Sequence, residues 1–283
     1  MKARNFRYEC PSTLEDALAC LCSEEFECQP LAGGQSLLPM MNLRLAGPEV
    51  LLDLNHLAEL KFIHESTTAI SIGSMVRYSE LLNSPLVRQH IPLFTKALPF
   101  IAHEAIRNRG TIGGSVALAD PAAEMPALLR ALNASILLVS SAGKREVSAD
   151  EFFIGVYDTA LEHGELVHSI SVPMASNNDR FGFYELARRH GDYAMAGVAI
   201  KASSVNPFSE LRIVFFSIGD HALRASEAEA VLEHEYYSDL LVNKAKLSLV
   251  SLDFNEDMNA SKTTKAHLAG IVLQRALADL CKD

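Results

Sequence analysis

Two pairs of adjacent glycines are the residues best suited to chemistry in this 283-residue chain. The first lies in Leu31-Ala32-Gly33-Gly34-Gln35-Ser36-Leu37. The second lies in Thr111-Ile112-Gly113-Gly114-Ser115, with Arg107 and Arg109 just upstream. Glycine lets the backbone approach a ligand closely and adopt positive φ, which is the expected role of Gly33 and Gly114. Successive N–H groups in such a turn form a concavity that binds anions. Two loops of this kind on separate parts of the chain would hold one diphosphate from opposite sides. Neither loop fits G-x-G-x-x-G after the first strand, and G-x-x-x-x-G-K-[ST] is absent from the chain. An ordinary Rossmann dehydrogenase or P-loop NTPase is therefore not expected.

Other chemistries have less support. The five cysteines form no C-x-x-C pair, and Cys20 and Cys22 sit in the helical-looking run TLEDALACLCSEE, so reduced structural thiols are expected. The ten histidines form neither H-x-x-x-H nor a cluster with cysteine, so no metal site is expected. No Ser-His-Asp or paired-carboxylate arrangement is legible in the spacing. Met40-Met41 read as core filler, and Arg188-Arg189-His190 as an exposed basic turn. The net charge of −10 argues against a nucleic-acid partner, although Arg107, Asn108 and Arg109 are a candidate for a local basic groove. No apolar stretch is long enough to span a bilayer, and MKARNFRYEC is not a secretory signal, so a cytoplasmic location is expected.

The elements that must position the loops follow from the hydrophobic pattern. Residues 4–10 read as extended, and Thr13 caps a helix, with Asp16 reaching back in the manner of a capping box. Gln29-Pro30-Leu31-Ala32 reads as a buried strand, LLPMMNLRLAG as a turn-rich stretch and VLLDL as a second buried strand. These make a small β-α-β unit. From about residue 55 a second set begins. AISIGS is a strand, residues 78–108 are largely helical with proline punctuation, and TIGGS is a turn. PAAEMPALLRALN is then a helix, followed by the strands SILLVSS and VHSISVP. ASNNDR, residues 175–180, is the linker. Beyond it GVAIKASS and ELRIVFFSIGD read as strands, and EAEAVLEH and KTTKAHLAGIVLQRALADL as helices.

Four segments in this order, AGGQSLLPMMNLRLAGPEVLLDLN, IRNRGTIGGSVALADPAAEMPALL, ARRHGDYAMAGVAI and SIGDHALRASEAEAVL, resemble the FAD-binding medium subunits of molybdenum hydroxylases. This is the carbon monoxide dehydrogenase and xanthine dehydrogenase family, and the resemblance covers nearly the whole chain. It implies an α+β protein with a two-subdomain FAD-binding fold of the vanillyl-alcohol-oxidase (PCMH) type over residues 1–176. The subdomains would be about 1–55 and 56–176, and an α+β C-terminal domain would follow over 177–283.

By the same resemblance, Leu31 to Leu37 wrap the pyrophosphate of a non-covalent FAD, and Thr111 to Ser115 close the other side. Ile101, Ala102, Leu166 and Val167 are apolar contacts to the cofactor, Glu124 takes a ribose hydroxyl, and Asp120 is a weaker candidate for that work. Asp192 and Tyr193 form a turn where an aromatic ring approaches the isoalloxazine; a packed core tyrosine is the alternative for Tyr193. Two departures are Leu118, where relatives often carry His, and Tyr184-Glu185-Leu186, where many carry Lys. The implied partners are an iron–sulfur small subunit and a molybdopterin large subunit. The implied activity is transfer of electrons through FAD to an external acceptor, which is NAD, a quinone or oxygen. The alternative is a free-standing FAD oxidase or dehydrogenase acting on its own small substrate.

Overall fold

The computed structural model describes residues 2–282. The strands Arg7–Glu9, Cys28–Leu31 and Val50–Asp53 form a three-stranded parallel sheet with Val50–Asp53 in the centre. That central strand, VLLD, is buried throughout, as expected of a parallel strand covered on both faces. Helix Leu14–Leu21 packs against it through Ala17, Leu18 and Leu21. Thr13 Oγ1 accepts from the N–H of Asp16 and donates to the Asp16 carboxylate, so Asp16 reaches the hydroxyl and not the backbone of Thr13.

A five-stranded antiparallel sheet follows, in the order Ile63–Glu65, Ala69–Gly73, Leu166–Pro173, Ser135–Ser140, Gly143–Ser148. A four-stranded antiparallel sheet, Arg180–Ala187, Ala194–Ala202, Arg212–Phe216 and Leu223–Arg224, makes up the C-terminal part. Its strands alternate between two cores, as the two-residue period requires. Phe181, Phe183, Ala199, Val214 and Phe216 join the core of the second sheet and its helices, including Pro92–Ala97 and Glu124–Ala131. Ala196, Val198, Ile200, Ile213 and Phe215 face a separate core, closed by the helices Ser226–Leu232, Asp239–Ser248 and Lys262–Leu280. Apolar packing is thus continuous across the polar segment 175–180. The α+β class is observed.

Several elements differ from the sequence expectation. LLPMMN is a helix, Leu37–Asn42, and not a turn-rich stretch; Pro39 is tolerated because the first turn needs no N–H there. TIGGS is not a turn but the start of helix Ile112–Leu118, capped by the Thr111 side chain on the N–H of Gly114. The following helix starts at Glu124, after Pro121-Ala122-Ala123 has been turned by Asp120, whose Oδ1 accepts from the N–H of Ala122. The strands Gly143–Ser148 and Arg180–Ala187 and the helix Asp239–Ser248 are additional.

Candidate functional site

A cleft of about 670 Å³ lies where the three parts of the chain meet. This is the size of an ordinary small-molecule site. Its first wall is the loop that leaves strand Cys28–Leu31 and enters helix Leu37–Asn42. Gln35 Nε2 donates to Gly33 O at 2.9 Å, and Asn55 Nδ2 donates to Ala32 O at 2.9 Å, so side chains brace the loop carbonyls. Gly34 turns the chain with φ 71°. The N–H groups of Gly33, Gly34, Gln35, Ser36 and Leu37 have no acceptor among the described residues, and Ser36 places no side-chain cap on the helix. A row of unspent donors at a turn is an anion-binding nest.

The second wall behaves differently. The N–H groups of Ile112, Gly113, Gly114 and Ser115 are spent on Val76 O, Ser74 O, Thr111 Oγ1 and Thr111 O. The expectation of a second nest is therefore corrected, because helix formation and sheet contacts consume its donors. Gly33 and Gly114 do not have positive φ either; in these loops only Gly34 does. The glycines here serve close packing. A Cβ on Gly33 would stand 2.3 Å from Arg109 O, and one on Gly113 would stand 2.3 Å from Ser74 Cβ. The loops of the two sheets interlock backbone to backbone.

Arg107 fixes a third part of the wall. Its Nη1 donates to Ile101 O at 2.9 Å and Ala102 O at 2.7 Å, and Ala102 itself sits at φ 46°. Arg107 is thus not available to the suggested basic groove at residues 107–109, since its guanidinium is committed to carbonyls. Gly191 of the C-terminal part packs onto His103, where a Cβ would lie 2.6 Å from Nδ1. The turn Gly191-Asp192-Tyr193 borders the cleft. Tyr193 is 65% exposed, which overturns the packed-core alternative.

The far end carries acid. Asp120 and Glu124 line the cleft, and Glu124 is 8% exposed. Burial, with Asp120 nearby, pushes the Glu124 carboxyl up to about 7. Glu185 lies nearby, where burial and the neighbouring Glu124 push its carboxyl up to about 8; its Oε2 is buried without a hydrogen-bond partner among the described residues. On another side Leu166 and Val167 form an apolar wall, preceded by Leu161–Glu165. Arg145 holds that segment by donating to Glu165 at 2.6 and 2.7 Å and to Ala160 O.

The cleft thus brings together Ala32, Gly33, Gly34, Gln35, Ser36, Leu37, Ile101, Ala102, Thr111, Gly113, Gly114, Ser115, Asp120, Glu124, Leu166, Val167 and Tyr193. Leu31 and Ile112 are not in its lining. Leu31 ends its strand with its side chain near Gly34, and Ile112 is wholly buried in the core. Ser74, Met75, Tyr78, residues 26–30 and residues 161–165 also line the cleft, and no motif in the sequence points to them. Only Gly164, at φ 80°, marked the last of these as a turn. The described lining includes no Lys or Arg, whereas Glu27, Glu162, Glu165 and Asp192 add to its acids. A bound diphosphate must therefore be held by neutral donors, and the Gly33–Leu37 row fits that demand. Among the described residues no group of His, Cys, Asp and Glu could hold a metal ion.

Comparison with known proteins gives a consistent pattern. Residues 4–175 match the family described as FAD binding domain in molybdopterin dehydrogenase, and residues 181–280 the CO dehydrogenase flavoprotein C-terminal domain. The chain is 36% identical over 274 residues to the carbon monoxide dehydrogenase medium chain of Hydrogenophaga pseudoflava, covering 96% of each. It is 36% identical over 278 residues to the glyceraldehyde dehydrogenase medium chain of Sulfolobus acidocaldarius, covering 97% of this chain and 98% of that one. Among solved structures, it superposes with TM-score 0.95 on carbon monoxide dehydrogenase from Hydrogenophaga pseudoflava lacking the Mo-pyranopterin moiety of its molybdenum cofactor. That match has 36% identity and covers 100% of this chain and 99% of that one.

Proposed function

Because the chain belongs to the FAD-binding medium subunits of the molybdopterin-containing dehydrogenases, we propose that it is the electron-transfer subunit of such a complex. It would receive electrons from an iron–sulfur small subunit, itself served by a molybdopterin large subunit, and deliver them to an external acceptor: NAD, a quinone or oxygen. The fold is the α+β FAD-binding type of this family. No described helix is long and apolar enough to cross a membrane.

The observation that carries the reading is the Gly33–Leu37 row of unspent N–H groups in a cleft whose described lining has no Lys or Arg. These donors would hold the FAD diphosphate. Thr111, Gly113, Gly114 and Ser115 would shape the opposite face, Glu124 and Asp120 would take hydroxyls, and Ile101, Ala102, Leu166 and Val167 would exclude water. Tyr193, exposed on the rim, would border the cofactor from the C-terminal part. FAD, when bound, supplies the reversible electron store, and the chain supplies binding, orientation and electrostatics.

The test is anaerobic mixing of the flavin-loaded chain with its iron–sulfur partner, reduced beforehand with dithionite and desalted. The expected result is bleaching of the flavin absorbance in step with reoxidation of the cluster. If no electrons pass, and the chain alone turns over a small substrate at roughly 1 per second or faster, the free-standing oxidase replaces this reading.

A further inference from the structure

Cys20 and Cys28 are eight residues apart in sequence, and the fold sets their sulfurs 3.6 Å apart. Cys20 lies in the last turn of helix Leu14–Leu21, and Cys28 opens strand Cys28–Leu31. Both are free thiols, partly buried against the small core of Ala17, Leu18, Leu21 and Leu52. Helix and strand therefore hold the pair from two sides. Cys28 also lines the cleft, on the strand that leads into the Gly33–Leu37 row.

A disulfide holds its sulfurs about 2.05 Å apart, so this pair must close by about 1.5 Å. Both residues stand at the ends of their elements, and residues 22–27 between them belong to neither helix nor strand. Side-chain rotation and a small shift of that segment can make the approach. The nearest competitor is Cys22. It stands two positions from Cys20, and residues so spaced on a helix do not face each other. Its sulfur meets Ser141 Oγ at 3.2 Å and Gly164 O at 3.9 Å instead. Burial, with Cys20 adjacent, pushes the Cys28 thiol up to about 12, so the first attack falls to Cys20.

We propose that Cys20 and Cys28 are a redox site that hydrogen peroxide converts to an intrachain disulfide. The Cys20 sulfur attacks one peroxide oxygen and the O–O bond breaks. The departing hydroxide takes the thiol proton as water, leaving a sulfenic acid. The Cys28 sulfur then attacks the sulfenic sulfur and the S–O bond breaks. Hydroxide leaves with the Cys28 proton as a second water. The two thiols have lost two electrons, and the peroxide has gained them. The bond ties helix Leu14–Leu21 to the strand that feeds the donor row, and thiol exchange undoes it. This site stands whether or not the cleft holds FAD.

The test treats the full chain with hydrogen peroxide, blocks the remaining thiols and digests the monomer after glutamate without reductant. Cleavage at Glu24, Glu25 and Glu27 separates the two cysteines, so a linked pair of peptides reports the bond. The expected result is that linkage, with both thiols recovered on adding dithiothreitol. Cys22→Ser should keep the link, and Cys20→Ser should abolish it. The oxidised chain should also melt several degrees above the reduced one, because the bond closes a loop in the unfolded chain. Oxidation confined to the exposed Cys10, or a link that runs through Cys22, overturns the proposal. So does a midpoint that falls on linkage, which would show a bond forced on the fold.

Discussion

Gly33 and Gly34 are neighbours with different work. Gly34 turns the chain at φ 71°, and its nearest obstacle is the flexible end of Leu38. Gly33 gives way to a backbone, Arg109 O, which cannot retreat unless the loops part. Gly34→Ala should therefore cost about 1–2 kcal/mol through the left-handed conformation and weaken flavin binding moderately. Gly33→Ala should lose bound flavin and lower the thermal midpoint by several degrees. Flavin-to-protein ratio and a melting curve check both, and equal effects would contradict the division of labour. The glycine pairs were visible in the sequence, but their roles were not, because the partner of Gly33 lies on the other sheet's loop. Glu185 shows the same limit: its neighbour Glu124 is distant in the chain, and only the fold buries them together. Their carboxyls, at about 7 and 8, stand above the value of about 4.3 for an unfolded glutamate. The folded chain thus holds protons that the unfolded chain has released, and stability must fall as pH rises toward and through these values. Burial pushes His168 and His221 down, so both finish titrating at lower pH. The flavin-free midpoint should accordingly drop between pH 7 and 8.5, and Glu185→Gln should flatten the drop. A midpoint that climbs over this range would refute the assignment.

At the scale of elements, periodicity located most strands and helices, and failures fall where tertiary contacts override it. Gly143–Ser148 is an edge strand with little buried surface to pattern it. In Arg180–Ala187 the alternation is blurred by Glu185 and by Gly182, which makes room for Ala276 O of the C-terminal helix. In Asp239–Ser248 exposed Leu240 and Leu247 smear the apolar stripe of Leu241, Val242 and Ala245. The helix Ile112–Leu118 was hidden because its glycines suggest a turn, whereas the Thr111 cap and the close fit to Ser74 make it helical. Arg107, on the short helix Glu104–Arg107, holds the Ile101-Ala102 step through two carbonyls. Arg107→Ala should loosen that step, leave the far-UV spectrum unchanged and raise the Kd for FAD about tenfold, the scale of one charge-assisted bond. An unaltered Kd would mean that this step does not touch the cofactor.

For the molecule as a whole, the site belongs to no single part. The parallel sheet supplies the donor row, the antiparallel sheet supplies Ser74 and the Thr111 helix, and the C-terminal sheet supplies Gly191–Tyr193. The apolar core continues from the second sheet into the third. Asp150 adds a polar clasp between them, pairing with Arg130 at 3.2 Å and Arg212 at 2.5 Å. This joining was not legible in the sequence, where residues 175–180 read only as a linker. The loops and the order of the segments were legible, because backbone chemistry needs glycine at fixed places in the chain. These parts together would enclose one dinucleotide held by neutral donors and not by a covalent bond. Denaturing the purified chain and identifying the released flavin by chromatography tests this most directly. The expected product is FAD, close to one per chain, with none left on the polypeptide; FMN, a flavin still attached to the protein, or no flavin uptake at all would contradict this arrangement.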